Sequence, residues 1–131
     1  MAQTLQKIYS DIDLTFNRQP GKGDLALRYD DQAVISSVRN LLLTNFYERP
    51  FQPSVGSNIN GLLFENISPV TASIIETEIQ NVISNYEPRA TINTISVTAA
   101  PDSNQFSVSL SVLVGNQTQP TSFSLILQRT R

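Results

Sequence analysis

Two kinds of spacing divide this chain. In the two helical stretches between about residues 34 and 88 the apolar residues recur every three or four positions, and from Ile92 onward they alternate with polar ones. Ile35, Val38, Leu42 and Phe46 are spaced by three, four and four, with Val34 and Leu41 widening the stripe. That pattern predicts an amphipathic helix running to about Asn45, with Asp30 or Asp31 as its N-cap. Glu48-Arg49-Pro50-Phe51-Gln52-Pro53 cannot continue it, because proline lacks the N–H and restricts the residue before it, so an ordered loop is expected. Asn58 to Asn66 admits a short helix carrying Leu62, Leu63 and Phe64. The second main helix is better signalled: Ser68 suits the N-cap, and Pro69 suits the first helical position, where its missing N–H costs nothing. Ala72, Ile75, Ile79, Val82 and Tyr86 form its expected buried face, with Glu76 and Glu78 on or near the outer side. Pro88 ends it.

Period two takes over afterwards. Ile95, Val97 and Ala99 form one alternating run, Phe106, Val108, Leu110, Val112 and Val114 a second, and Phe123, Leu125 and Leu127 a third. Serine and threonine occupy most of the intervening positions. Pro101-Asp102-Ser103-Asn104 and the stretch from Gly115 to Pro120 supply the turns. The expectation is an α+β fold, with two main helices packed on one face of a C-terminal three-stranded antiparallel sheet. Residues 92–130 form the meander, within one domain spanning 1–131. Leu25, Leu27 and Tyr29 alternate along Asp24–Tyr29 and predict a short N-terminal strand. Before it, residues 1–24 read as an extended arm, with Tyr9, Ile12, Leu14 and Phe16 as scattered anchors and Gln19–Gly23 as a loop.

Composition narrows the function classes. At 131 residues the chain has the usual size of a single domain, large enough to bury about two thirds of its unfolded surface. Only 15% of its residues are charged, against about 25% in an average domain. Such a surface, rich in amides and hydroxyls, suits a protein covered by partners in its working state. The net charge of −2 gives no basic face for phosphate-driven nucleic-acid binding. There are no cysteines and no histidines, which removes disulfides, thiolate metal sites, zinc ligation and catalysis with a histidine base. The acids lack calcium-loop spacing, and Gly21-Lys22-Gly23 reads as a flexible turn rather than a phosphate loop. No cofactor is expected. The first residues lack the pattern of a secretory signal, and no stretch reaches the 18 or so apolar residues of a membrane span, so a cytoplasm-like compartment of synthesis is expected.

Two chemical readings stay open. Glycoside hydrolysis needs only a pair of carboxyl groups, and Glu48, Glu65, Glu76 and Glu87 are available. No two of them stand at a diagnostic spacing, and no tryptophan is present to stack on a sugar. The other feature is Tyr86-Glu87-Pro88-Arg89. Its plain reading is a helix stop with two solvated charges. Its sharper reading is that Pro88, with fixed φ, orients Glu87 and Arg89 as a rigid polar pair that clamps the Arg49 loop or docks a partner's helices.

Lys7-Ile8-Tyr9-Ser10-Asp11-Ile12-Asp13, Glu48-Arg49-Pro50-Phe51 with Gly56, Leu63-Phe64-Glu65-Asn66 and Asn85-Tyr86-Glu87-Pro88-Arg89 occur in an order and spacing that resemble the gene-25-type baseplate wedge family of contractile-tailed phages. The related baseplate subunit of type VI secretion machines shares the Glu-Pro-Arg element. The resemblance runs from about residue 5 into the final strands. It implies a small non-enzymatic subunit, present in each wedge of a six-fold virion tail baseplate and assembled in the host cytoplasm. By this carry-over Glu87, Pro88 and Arg89, with Arg49 as a neighbour, face the helical core bundle of larger wedge proteins. The sheet resembles the part of the sheath protein that takes arms from neighbouring subunits, so the resemblance implies initiation of the tail sheath by strand exchange with its first ring. Tail tube or hub proteins are further neighbours on this reading. The family also carries a lysozyme label, which keeps peptidoglycan hydrolysis as the alternative; a generic protein-binding module is a third reading. The residues agree with the sheath role at one place. Thr121–Arg129 is expected as an edge strand whose free N–H and C=O groups can template a partner strand, unless Pro120 or an N-terminal strand blocks it. Arg129 and Arg131 add positive charge beside it.

Overall fold

The helix caps and the strand alternation described above both take shape in the computed structural model, which describes residues 8–115 and 117–129. In chain order the elements are β1 (Ser10–Ile12), β2 (Leu27–Tyr29), α1 (Asp30–Leu43), α2 (Ile59–Leu62), α3 (Pro69–Tyr86), β3 (Ala90–Ala100), β4 (Gln105–Val114) and β5 (Thr121–Gln128). The fold is α+β: the helices pack on one face of an antiparallel sheet of order β3-β4-β5, and β1 and β2 form a separate two-stranded ribbon.

β4 is the spine of the core. Phe106, Val108, Leu110, Val112 and Val114 are each nearly inaccessible, while the serines between them face outward. Fully burying side chains of this size is worth about 1.5–3 kcal/mol apiece relative to leaving them exposed. Against this row pack Ile75, Ile79, Val82 and Ile83 of α3 and Val34, Val38, Leu41 and Leu42 of α1. β3 follows the alternation except at one place. Ile92 pairs with Val112 but Thr94 pairs with Ser111, so Asn93 is an extra residue in a β-bulge. The bulge turns both Ile92 and Ile95, three positions apart, toward the core.

α3 begins where its sequence signals put it, with Ser68 Oγ accepting from the Thr71 N–H at 3.2 Å and Pro69 at the first position. α1 departs from expectation in two respects. Neither aspartate caps it: the N-cap is Tyr29, and the two carboxylates reach distant segments instead. Asp30 Oδ1 accepts from the N–H groups of Ile8 and Tyr9 at 2.9 and 3.1 Å, while Asp31 takes Gln117 Nε2 and Thr121 Oγ1. The buried stripe is also rotated, centring on Ala33, Val34, Val38, Leu41 and Leu42, while Phe46 lies beyond the helix and exposed. α2 stops at Leu62, leaving Leu63 buried and Phe64 out in solvent. Tyr86, expected on the buried stripe of α3, is partly exposed.

Of the strand expected at Asp24–Tyr29 only Leu27–Tyr29 forms, as β2, with Leu25 in an isolated bridge to Arg18; its partner β1 comes from within residues 1–24. The first seven residues of the expected arm, and Arg131, lie outside the described residues.

Candidate docking site

The junction between α3 and β3 is a tight turn built around Pro88. The Glu87 N–H donates to Ile83 O at 2.9 Å, the last bond of the helix, and the Ala90 N–H donates to Glu87 O at 3.1 Å, closing a β-turn with proline at its second position. The Gly115 N–H then holds Arg89 O at 2.9 Å, tying the turn to the end of β4. Because a proline stands between them, the side chains two positions apart come round to meet.

Glu87 is 4% exposed, among the few buried polar residues of the fold. Its Oε1 accepts from Arg89 Nε at 2.7 Å, and its Oε2 accepts from Arg89 Nη2 at 2.9 Å and from Ser37 Oγ at 2.5 Å. This is a bidentate guanidinium–carboxylate fork with a hydroxyl from α1 as the third donor. Burial pushes the Glu87 carboxyl up, but the hydrogen bonds from Arg89 and Ser37 and the charge of Arg89 outweigh it and leave the group below its ordinary value. The hydrogen bond to Glu87 correspondingly holds the Arg89 guanidinium above its usual range. Neither plain solvation nor a jointly exposed pair describes this arrangement. Glu87 is turned inward and locked, while Arg89 is half exposed and held by it.

The outer side of Arg89 meets the N-terminal segment. Its guanidinium carbon lies 5.4 Å from the centre of the Tyr9 ring, in cation–π range. The Asp30 bonds fix Tyr9 from behind: the Asp30 N–H donates to Tyr9 O at 2.9 Å while its carboxylate takes the Ile8 and Tyr9 amides. The Tyr9 hydroxyl also lies close to Gly115, where an added Cβ would sit 3.3 Å away. The Tyr9 motif and the Glu87 motif, far apart in sequence, are therefore one site. Sequence reasoning missed Ser37 and the role of Tyr9. The only signals were a serine flanking an apolar helical stripe and an aromatic residue in a polar segment.

Arg49 is placed elsewhere. It is exposed on the loop between Asn45 and Ser57, and the Glu87–Arg89 pair closes on itself rather than clamping that loop. A hydrogen bond links the two regions, Tyr86 Oη donating to Ser54 O at 2.7 Å. The loop closes at its base: the Ser57 N–H donates to Thr44 O at 2.8 Å, and Ser57 Oγ donates to Leu42 O at 2.7 Å. Gly56 allows the closure, since a Cβ there would stand 2.7 Å from the backbone of Asn45.

The remaining acids are dispersed. Glu48 Oε2 accepts from the Asn45 N–H at 2.7 Å, Glu78 Oε1 accepts from the Asn58 N–H at 3.1 Å, Glu65 is exposed and Glu76 is half-buried on α3. A concavity of about 550 Å³ is lined by the hydroxyl-rich outer face of the sheet, including Thr94, Ser96, Ser109 and Ser124. None of the described concavities is lined by two carboxylates. No group of three acids stands close enough to hold a metal among the described residues.

A second surface is the sheet edge. β5 pairs with β4 from Gln105↔Gln128 to Val112↔Thr121, and among the described residues no strand covers its other side. The N-terminal strand β1 does not block it, pairing with β2 instead. Just past the strand, the Arg129 guanidinium lies 5.1 Å from the centre of the Phe64 ring.

Comparison with known proteins places the chain in a family. The family model for baseplate wedge protein gp25 matches residues 28–118. Baseplate wedge protein gp25 of Enterobacteria phage T4 is 33% identical over 97 residues, covering 74% of this chain and 71% of the phage protein. Among solved structures, a candidate tail lysozyme of Geobacter sulfurreducens superposes with a TM-score of 0.67 at 19% identity, covering 75% of this chain and 89% of that one. A chain of the anti-feeding prophage baseplate superposes with a TM-score of 0.63 at 20% identity, covering 94% and 87%. At these identities the two superpositions establish the shared fold.

Proposed function

The chain belongs to the gp25 family of baseplate wedge proteins, and from that premise we propose that it is a non-enzymatic docking subunit, seated on the wedge core through Pro88 and Arg89 and starting the sheath through the free edge of β5. The observation that carries the docking half is the buried fork. Three donors fix the Glu87 carboxylate, and that carboxylate fixes Arg89 on a proline turn. A guanidinium so held loses little side-chain freedom on meeting a partner, which favours a specific contact. In this arrangement Glu87 is a positioning residue, and Arg89, Pro88 and the Tyr9 ring form the presented surface. Arg49 contributes from its own loop.

The double change Glu87→Gln with Arg89→Gln removes both charges together, so that no unpaired carboxylate is left buried, and leaves an amide able to hydrogen-bond at each position. The isolated chain stays folded by circular dichroism and stops co-purifying with the larger wedge proteins of its tail. Wedges that form normally with this variant would show that the pair has no docking role.

The sheath half rests on the open β5 edge, where backbone groups are free to pair with an arriving strand. A proline placed in β5 at a position whose N–H points away from β4 removes one such donor. Baseplates then assemble without extending a sheath, whereas sheaths of normal length would exclude that edge as the template.

Non-enzymatic action is supported by the placement of the acids. Wall hydrolysis requires two carboxyl groups roughly 5–9.5 Å apart across a cleft. Glu87 is committed to Arg89 and Ser37, and Glu48 to a backbone amide. Purified chain leaves a peptidoglycan suspension turbid on this account, and clearing that disappears on a Glu→Gln change would reverse it.

A further inference from the structure

The loop 45–57 holds two aromatic side chains in solvent by force of its backbone. Tyr47 is 86% exposed and Phe51 fully exposed, and each has φ of 67°, a left-handed conformation that bulky residues seldom adopt. Such strain persists only where the surroundings over-determine it. Here the Tyr47 N–H donates to Pro53 O at 2.8 Å, the Gln52 N–H to Arg49 O and the Val55 N–H to Gln52 O, while Tyr86 clasps Ser54 and Gly56 lies against Asn45. Arg49 stands between the two rings in sequence. Its neighbour Glu48 is engaged by the Asn45 amide, and among the described residues no acid pairs with Arg49.

We infer that this loop is a second, preformed anchor: Phe51 and Tyr47 enter an apolar pocket of a different protein, edged by a carboxylate that receives Arg49. Aromatic residues and arginine carry most of the affinity at interfaces, and a rigid loop spares the ordering cost of docking them. The charge left uncompensated at Arg49 selects an acidic rim over a purely apolar groove. The inference rests on the reading of this chain as an assembly subunit, but it uses residues other than Arg89 and the β5 edge.

The test compares the full chain carrying Phe51→Ala, Arg49→Glu or Arg49→Lys with deletion of the chain, in the tail particle it natively enters. Phe51 buries nothing within the chain, so the isolated Phe51→Ala protein unfolds at the wild-type midpoint. Its incorporation into tails falls about 30-fold, the loss expected for an interface hot spot. Arg49→Glu falls similarly, while Arg49→Lys retains most incorporation. A benzophenone photocrosslinker at position 51, mapped by mass spectrometry, attaches to apolar residues of another protein with an Asp or Glu alongside. Crosslinking to a second copy of this chain, or normal incorporation of Phe51→Ala, overturns the inference. If deleting the whole chain leaves tails unchanged, the baseplate role fails with it. If deletion abolishes tails and Phe51→Ala does not, only the loop fails.

Discussion

The same three residue types occur twice in this protein, in different order and with opposite results. Glu87-Pro88-Arg89 closes on itself, whereas Glu48-Arg49-Pro50 comes apart. In the first, proline sits between the charges at the second position of a β-turn, so carboxylate and guanidinium meet as a fork and the carboxylate is buried. In the second, the proline follows the arginine; Glu48 folds back onto the Asn45 amide and Arg49 is left in solvent. One arrangement directs its binding energy inward to fix a single presented group. The other leaves its charge and its aromatic rings unsatisfied within the chain. Position of the proline, rather than composition, decides which charges are structural and which are free for a partner.

That contrast can be broken most forcefully at Arg89. Arg89→Ala leaves a buried carboxylate with only the Ser37 hydroxyl, and urea unfolding should show a loss of about 3 kcal/mol, at the lower end for a broken buried pair because the guanidinium is half exposed. The matching Arg49→Ala should change stability by no more than about 0.5 kcal/mol. Gly56→Ala attacks the other region: its Cβ would collide with the Asn45 backbone, costing about 1–3 kcal/mol and loosening the aromatic loop while leaving the fork intact. Ser37→Ala removes one donor to a charged group and should cost about 1.5 kcal/mol. The gentlest probe of the fork is acid sensitivity. The folded carboxyl of Glu87 titrates below its ordinary value of 4.5, so its stabilisation is complete above that value and lost as the pH falls through it and below. Stability measured from pH 7 downward should therefore fall less steeply in Glu87→Gln than in the wild type.

What the sequence revealed and what it hid divide along the range of the interactions. α3 was legible because its signals are local: Ser68 bonds three residues on, Pro69 needs no partner, and Pro88 acts on its neighbour. The meander was legible because period two is local as well, apart from the bulge at Asn93, which only the register with β4 exposes. Asp30 and Asp31 misled because nearby N–H groups are not their partners. They bond to Ile8 and Tyr9 on one side and to Gln117 and Thr121 on the other. The rotated stripe of α1 is compatible with these contacts, since Asp31 lies against the β4–β5 turn. The Glu87 pair was visible as a motif, but its inward orientation depends on Ser37, fifty positions away in the chain. Arg49 was expected beside the pair from the resemblance; in space the hydrogen bond that links the two segments is Tyr86 to Ser54.

The most direct test is a high-resolution reconstruction of the assembled baseplate with this chain in place. The fork between Glu87 and Arg89 should persist, with the outer edge of the guanidinium against a neighbouring wedge protein. An Arg89 that faces solvent there, or a Glu87 released from it to pair with the neighbour, would contradict the account.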